Sequence, residues 1–289
     1  MGLLSQAFPG SIDKKLPEPG FGCKFGESAK MFSNEIRHLW SRGTPATNGW
    51  LSMPCAFGAE IMADQGFDSI TIDMQHGLID QDSMVCMLQA MRASGTVPFV
   101  RVAALDPALI MKALDAGALG VSCPMINTRE QAEALVSHVR YPPQGKRSFG
   151  PIRANLVYGT EYFQQANEEV ICLAMIETRE GFENLESIVT TPGLDGILVG
   201  PSDLALDMGG GRLAPGLDRT EGEMLDAFQR IARVSRDAGI KSAFICGTPA
   251  YVRRAVDWGY DMITVANDVR YLAATAKSTL TETLREMGR

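Results

Sequence analysis

Apolar positions in this chain come in short unbroken runs rather than in strict alternation with polar ones. From Gly49 onward such runs recur near residues 49–53, 68–73, 97–102, 119–124, 171–177, 195–200, 241–246 and 261–266, with helical segments between them. A run that is apolar at successive positions reads as a strand buried on both faces, which is the habit of parallel sheets. The junctions repeat. Asp64–Ile72 (DQGFDSITI) parallels Asp257–Val265 (DWGYDMITV), and Asp115-Ala116-Gly117 and Asp237-Ala238-Gly239 are shorter echoes. Each predicts a helix end, a left-handed glycine cap and then a strand. Helix starts are marked by Asp106-Pro107 and Thr248-Pro249, and by the capping-box spacing of Thr128 and Gln131. Eight strand–helix units over roughly 240 residues predict a (β/α)₈ TIM barrel. A doubly wound open sheet is the alternative, but no G-x-G-x-x-G follows the first strand. The division expected is an N-terminal extension with a short helix, Met31–Trp40, over residues 1–45, and a barrel over 46–289.

The stretch from Ile171 to Asp203 carries the chemistry. Its two apolar runs end at acids, the first at Glu177 and the second, through Gly200-Pro201-Ser202, at Asp203. A right-handed crossover sets both acids at the carboxyl edge of one sheet, where two carboxylates can hold a hard divalent cation. N-capping, or pairing with Arg179, is the alternative use of these acids. Gly200-Pro201-Ser202-Asp203 also opens a helix, whose N–H groups can receive a ligand carboxylate. In a barrel of this kind active-site groups stand at the carboxyl ends of strands. Those ends supply Asp73 and His76 after the second run and Arg101 on the third. His76 suits an acid/base with Asp73 orienting its ring. Arg101 suits an enolate or keto oxygen, or else a salt bridge to Asp73 or Glu177.

Lysine placement separates mechanisms. Lys112 falls on a helix, Lys241 begins a strand at the wrong end and Lys146 lies in a loop, so activation by metal is favoured over an imine. Aromatic residues make up only 7%, which argues against a sugar site despite the paired acids. Cys246-Gly247-Thr248 and Ala266-Asn267-Asp268 are weak candidates for a phosphate cup. The long connection from Tyr141 to Glu168 carries Lys146, Arg147 and Arg153. It is expected either as a lid or wall over the carboxyl face that meets an anionic ligand, or as a solvated or subunit-contacting loop.

Composition narrows the partners. With 289 residues, 45% hydrophobic and 21% charged, the chain can bury a full core. A net charge of −7 argues against nucleic acid as a partner. No apolar run reaches the length of a membrane span, and the start lacks a signal peptide's order, so no membrane association is expected. Six scattered cysteines without a C-x-x-C pair suit a reducing cytoplasm.

The segments IDMQHG, VRV, MIETREG and VGPSDLA, in this order, resemble the HpcH/HpaI aldolase family, divalent-metal pyruvate aldolases, and RYPPQGKRSFG resembles that family's connecting loop. The resemblance runs from about residue 45 to the C-terminus. It implies a (β/α)₈ barrel assembled as a homohexamer, a trimer of dimers, with the last helix exchanged between neighbours. It also implies Mg²⁺, Mn²⁺ or Co²⁺ on Glu177 and Asp203, His76 with Asp73 as acid/base, and Arg101 on the keto or enolate oxygen. The helix start at Ser202 and Asp203 is expected to hold the pyruvate carboxylate, with Gly200, Pro201 and Ser202 as substrate-binding positions. Gln75 stands where a glutamate often precedes the histidine, a substrate-contacting position, and Met175 where a glutamine often precedes the metal glutamate. The reaction implied is cleavage of a small 4-hydroxy-2-oxo acid to pyruvate and an aldehyde. Alternatives on the same scaffold are oxaloacetate decarboxylation, macrophomate-synthase-like chemistry and a CoA-thioester lyase.

Overall fold

Residues 32–289 are described by a computed structural model; the expected extension lies outside the described residues as far as residue 31. The strands are β1 (Ala46–Leu51), β2 (Ser69–Asp73), β3 (Val97–Arg101), β4 (Gly120–Cys123), β5 (Ile171–Ile176), β6 (Gly196–Val199), β7 (Lys241–Cys246) and β8 (Met262–Val265). All pair in parallel in chain order, and β8 returns to β1, so the sheet is a closed barrel. Every residue of β2, β4, β5 and β6 is buried, as strands covered on both faces must be. No helix among the described residues is long and apolar enough to cross a membrane.

The local signals act as expected. Asp106 accepts from the N–H groups of Ala108 and Leu109, and Thr128 and Gln131 close a capping box. Gly66, Gly117, Gly239 and Gly259 of the repeated Asp-x-Gly junctions all hold positive φ, from 77° to 105°. A side chain in that region costs about 1–2 kcal/mol, so glycine ends these helices cleanly. The first described helix spans Glu35–Ser41 rather than Met31–Trp40, because Asn34 caps it by accepting from the Ile36 N–H at 3.1 Å. Asn34 also donates to the carbonyls of Leu119 and Glu169, and Trp40 to that of Asp261. These partners precede β4, β5 and β8, so the helix closes the amino end of the barrel.

The long connection is not a lid. It folds into two helices, Ile152–Tyr158 and Tyr162–Glu169, and it lies at the amino end, away from the carboxyl face. Arg147 is buried, donates to Asp115 at 2.7 Å and to the Tyr162 hydroxyl at 3.2 Å, and stacks on Tyr141. Arg153 donates to the carbonyls of Ala116 and Leu88. Both arginines brace the ends of helices leading into strands and leave no cation for a substrate; Lys146 is exposed at the same end. The physical reason is topological, since a helix-to-strand connection returns to where the next strand begins.

Candidate active site

Strand register fixes what meets what at the carboxyl face. Asp73 pairs with Arg101 across β2 and β3, and Ile176 with Val199 across β5 and β6. Glu177 therefore follows β5 beside Gly200, and Asp203 stands in the first turn of the helix Pro201–Met208. A cavity of about 440 Å³ opens there. Asp73, His76, Arg101, Glu177, Gly200, Pro201, Ser202 and Asp203 all line it, so these sequence candidates come together. No lysine does.

Asp73 is the most heavily bonded acid of the site. Its Oδ1 accepts from Arg101 Nε at 2.8 Å and from the backbone N–H groups of Gln75 at 3.0 Å and His76 at 3.2 Å. Its Oδ2 accepts from Arg101 Nη2 at 2.6 Å and Trp50 Nε1 at 3.2 Å. Burial pushes this carboxyl up, but the Arg101 guanidinium and the N–H donors outweigh it and hold it below its ordinary value. Asp73 thus grips the backbone of His76 and not its ring, contrary to the expected orienting role. The turn from Asp73 to Gly77 is tight enough that a Cβ on Gly77 would sit 2.2 Å from the Asp73 carbonyl oxygen. That turn delivers the His76 side chain, exposed, to the cavity mouth.

Arg101 is buried in β3 and stacks on Trp50, its guanidinium carbon 4.8 Å from the ring centroid. The salt bridge foreseen as its alternative use exists, to Asp73. It occupies Nε and Nη2 and leaves Nη1 without a protein acceptor among the described residues, free to donate into the cavity.

Glu177 is 2% exposed, yet its one protein donor among the described residues is the Met125 N–H, on Oε1 at 2.8 Å. Met125, just past β4, holds φ at 58°, a conformation rare outside glycine, and this aims its N–H at the carboxylate. On the other side Gly200 packs so closely that a Cβ there would lie 2.5 Å from Glu177 Oε2. Burial raises the Glu177 carboxyl above its ordinary value, and the nearby Asp203 raises it further. Arg179 does not relieve the charge; its N–H and guanidinium go to Asp207 and the Met208 carbonyl. Two carboxylates facing one cavity without a protein cation between them fit a divalent ion. Among the described residues no three His, Cys, Asp or Glu side chains cluster as a metal cage. A hard ion held by one or two carboxylates, with water and substrate completing its shell, needs no cage. The first-turn N–H groups of Ser202 and Asp203 face no acceptor within their helix, as helix starts require.

Other expectations part from the geometry. Gln75 is not on the cavity wall; its N–H serves Asp73 and its amide oxygen is buried without a partner among the described residues. The first phosphate-cup candidate is occupied, because Gly247 N–H and Thr248 Oγ1 both donate to Asp218 at 2.6 Å. In the second, Asp268 accepts from the N–H groups of Ser52 and Met53 and ties the last helix to β1. Trp50, Ser52 and Arg270 line the cavity without having been singled out as ligand contacts, and so do Ala266 and Asn267 of the second phosphate-cup candidate. Trp50 carried a legible signal, a tryptophan near the carboxyl end of a strand; Arg270 lies beyond the end of β8 and carried none.

Comparison with known proteins identifies the family of the chain. The sequence profile described as HpcH/HpaI aldolase/citrate lyase matches residues 50–274. The chain is 42% identical over 249 residues to a hydroxypyruvate/pyruvate aldolase of Rhizorhabdus wittichii, covering 86% of this chain and 98% of that one. It is 37% identical over 235 residues to a 2-dehydro-3,6-dideoxy-6-sulfogluconate aldolase of Pseudomonas putida, covering 80% and 89%. A crystal structure of an HpcH/HpaI aldolase/citrate lyase family protein from Burkholderia cenocepacia superposes with a TM-score of 0.80 at 32% identity, over 87% of this chain and 99% of that one. With the profile spanning most of the barrel and relatives matched nearly end to end, the chain belongs to the HpcH/HpaI aldolase/citrate lyase family and is an enzyme of the aldolase type.

Proposed function

We propose that this enzyme cleaves a 4-hydroxy-2-oxo acid between C3 and C4, releasing pyruvate and an aldehyde, with a divalent cation, Mg²⁺, Mn²⁺ or Co²⁺, as cofactor. The observation that carries the reading is the pair Glu177 and Asp203, neither salt-bridged to a cation of the described residues, in a cavity also lined by Arg101 and His76. Glu177 and Asp203 hold the cation. When bound, it serves as a Lewis acid toward the 2-oxo group. The N–H groups at Ser202 and Asp203 receive the substrate carboxylate. Arg101 donates through Nη1 to the oxygen that becomes negative, and Asp73 keeps that guanidinium in place. His76 takes the 4-hydroxyl proton as the C3–C4 pair of electrons moves into the pyruvate enolate. The aldehyde leaves, and protonation at C3 gives pyruvate. Oxaloacetate passes through the same enolate when it loses carbon dioxide, so its slow decarboxylation is a side activity of this site.

The protein works as a homo-oligomer, a hexamer, in the cytoplasm. Support comes from the last helix, Asp268–Glu286, which buries only Asp268 and leaves Leu272 and Leu280 exposed, as a helix meant for a neighbouring copy would. The free thiols of Cys55, Cys86, Cys123, Cys172 and Cys246 suit a reducing compartment.

The test is pyruvate release from a series of 4-hydroxy-2-oxo acids, coupled to lactate dehydrogenase, with Mn²⁺ and after EDTA. Pyruvate that forms with metal, vanishes with chelator and returns on metal addition is the expected result. Turnover indifferent to EDTA would refute the metal, and no pyruvate from any member would refute the reaction.

A further inference from the structure

We propose that Asp218 is a positioning residue for the aldol step: it fastens residues 213–219 as a strap beside the cavity, so that Leu217 shields the enolate from solvent. This rests on the aldolase reading and adds to it a residue that does not itself line the cavity.

The strap belongs to the connection between the helix Pro201–Met208, which carries Asp203, and the helix Gly222–Asp237. Its own backbone does little to hold it. From Leu213 to Arg219 no backbone N–H donates to another backbone group among the described residues. Just before it Gly210 and Gly211 hold φ at 56° and 76° with open space where a side chain would stand, so the chain can swing there. A segment without backbone bonds lies at the low-stability end of a fold, and side chains decide where it rests. Leu213 packs against the core at one end, and the Arg219 carbonyl accepts from the Tyr251 hydroxyl at 2.8 Å at the other. Leu217, between them, reaches the cavity wall.

Asp218 is the fastening. Its carboxylate accepts from the Gly247 N–H and from Thr248 Oγ1, both at 2.6 Å, at the start of the helix Pro249–Trp258. Thr248 occupies the N-cap position of that helix, yet its side chain makes no cap bond within it; the hydroxyl goes to Asp218 instead. The helix dipole favours a carboxylate at this end. Gly247 permits the close approach, since a Cβ there would lie 3.3 Å from both Leu217 Cβ and Asp218 Oδ2. Because Leu217 and Asp218 are adjacent, pinning one fixes the other.

The consequence lies in the fate of the enolate. Its C3 electron pair either forms the carbon–carbon bond with an aldehyde or takes a proton from water and returns to pyruvate. Leu217, Ile245 and Val269 make an apolar stretch of the cavity lining that offers water no anchor. A strap lifted from Gly247 opens that stretch to solvent.

The experiment uses Asp218→Asn, which keeps the shape and removes the charge, in the Mn²⁺-loaded protein, and reads two quantities. Limited trypsin cleavage after Arg212 and Arg219 should quicken about ten- to a hundredfold, as for the loss of charge-assisted bonds, while cleavage after Arg253 and Arg254 keeps its wild-type rate. With pyruvate and propanal in heavy water, the ratio of deuterium entering the pyruvate methyl group to aldol formed should rise severalfold. Leu217→Ala should raise that ratio without quickening cleavage. Thr248→Val should loosen the strap, and Thr248→Ser should behave as wild type. Unchanged cleavage at Arg212 and Arg219 overturns the fastening. Equal quickening at Arg253 and Arg254 also overturns it, by making Asp218 a cap of the helix Pro249–Trp258 and nothing more. A loosened strap with a ratio within twofold of wild type overturns the shielding. A wild type that neither exchanges methyl deuterium nor forms aldol overturns the aldolase reading and the shielding together, whereas the cleavage rates still judge the fastening.

Discussion

Replacing Asp73 by asparagine keeps the shape of the side chain and removes its charge, which isolates what the buried pair contributes. The Arg101 and Asp73 side chains are 8% and 3% exposed and joined by two hydrogen bonds at 2.6 and 2.8 Å. At such a separation an effective dielectric near 20 gives an attraction of about 6 kcal/mol. Removing one member of a buried pair costs roughly 3–5 kcal/mol, because the survivor keeps its desolvation penalty and loses its partner. For a domain of this size that corresponds to a fall in Tm of about 6–20 °C. The surviving guanidinium also loses its fixed direction, so activity should fall with it. Chemical denaturation of Asp73→Asn, Arg101→Met and the double variant measures the effect as a cycle. The double variant should lose less than the two singles combined, since it leaves no lone charge. The pH dependence has a defined sign. The folded-state value of Asp73 is depressed, so its stabilisation is present above the unfolded value of 3.8 and is lost as pH falls through the folded one. The gap between wild type and Asp73→Asn should therefore close on acidification below that point. A cost under about 1 kcal/mol at neutral pH, or singles that simply add, would refute a coupled buried pair.

Three further outcomes test the acids. In Glu177→Gln the metal-free protein should be more stable at neutral pH, because a desolvated charge is gone, and should no longer gain stability from Mn²⁺. The wild type should gain about 2.7 kcal/mol at a hundredfold excess over Kd, and an equal gain in the variant, read by thermal melting, would remove Glu177 from the metal site. Because burial raises the Glu177 carboxyl, it takes up its proton at a higher pH than an ordinary carboxylate, and that proton competes with metal. Mn²⁺ affinity, followed by electron paramagnetic resonance, should weaken as pH falls toward and through that raised value; an affinity that stays constant down to the ordinary glutamate value of 4.5 would contradict it. Finally, Gly200→Ala places a carbon 2.5 Å from Glu177 Oε2 and must push the carboxylate aside. A displacement of that kind costs on the order of a hundredfold in turnover, and kcat/KM near wild type would show that Glu177 has room to move.

The strands were legible where burial on both faces made them uniformly apolar, as in β5 and β6, and less so where the barrel interior is polar. β1 was expected near 49–53 and runs from Ala46 to Leu51, because Asn48 is buried inside the barrel. There it donates to Thr264 and accepts from Ser69 and Thr71. An asparagine satisfied by side chains of neighbouring strands looks like a turn residue when read alone. The same limit governs Asp73. Its distance of three residues from His76 suggested a local pair, but the register that sets it against Arg101, twenty-eight residues on, is a property of the closed sheet. Acids at strand ends could be found by pattern. What each acid grips could not, because its partner comes from the next strand. Met125 and its bond to Glu177 belong to the same class, joining the ends of β4 and β5.

The connection from Tyr141 to Glu168 shows why chain direction, more than composition, decides which loops reach the site. In a parallel barrel every strand-to-helix loop lies at the carboxyl face and every helix-to-strand loop at the other. A segment placed between the helix Arg129–Val139 and β5 therefore starts and ends away from the chemistry, whatever charges it carries. Its arginines looked like ligands for an anion, but Arg147 meets Asp115 and Arg153 meets backbone carbonyls of preceding helices. Arg153 thereby reaches carbonyls near helix ends, and Arg147 an acidic side chain at the end of a helix.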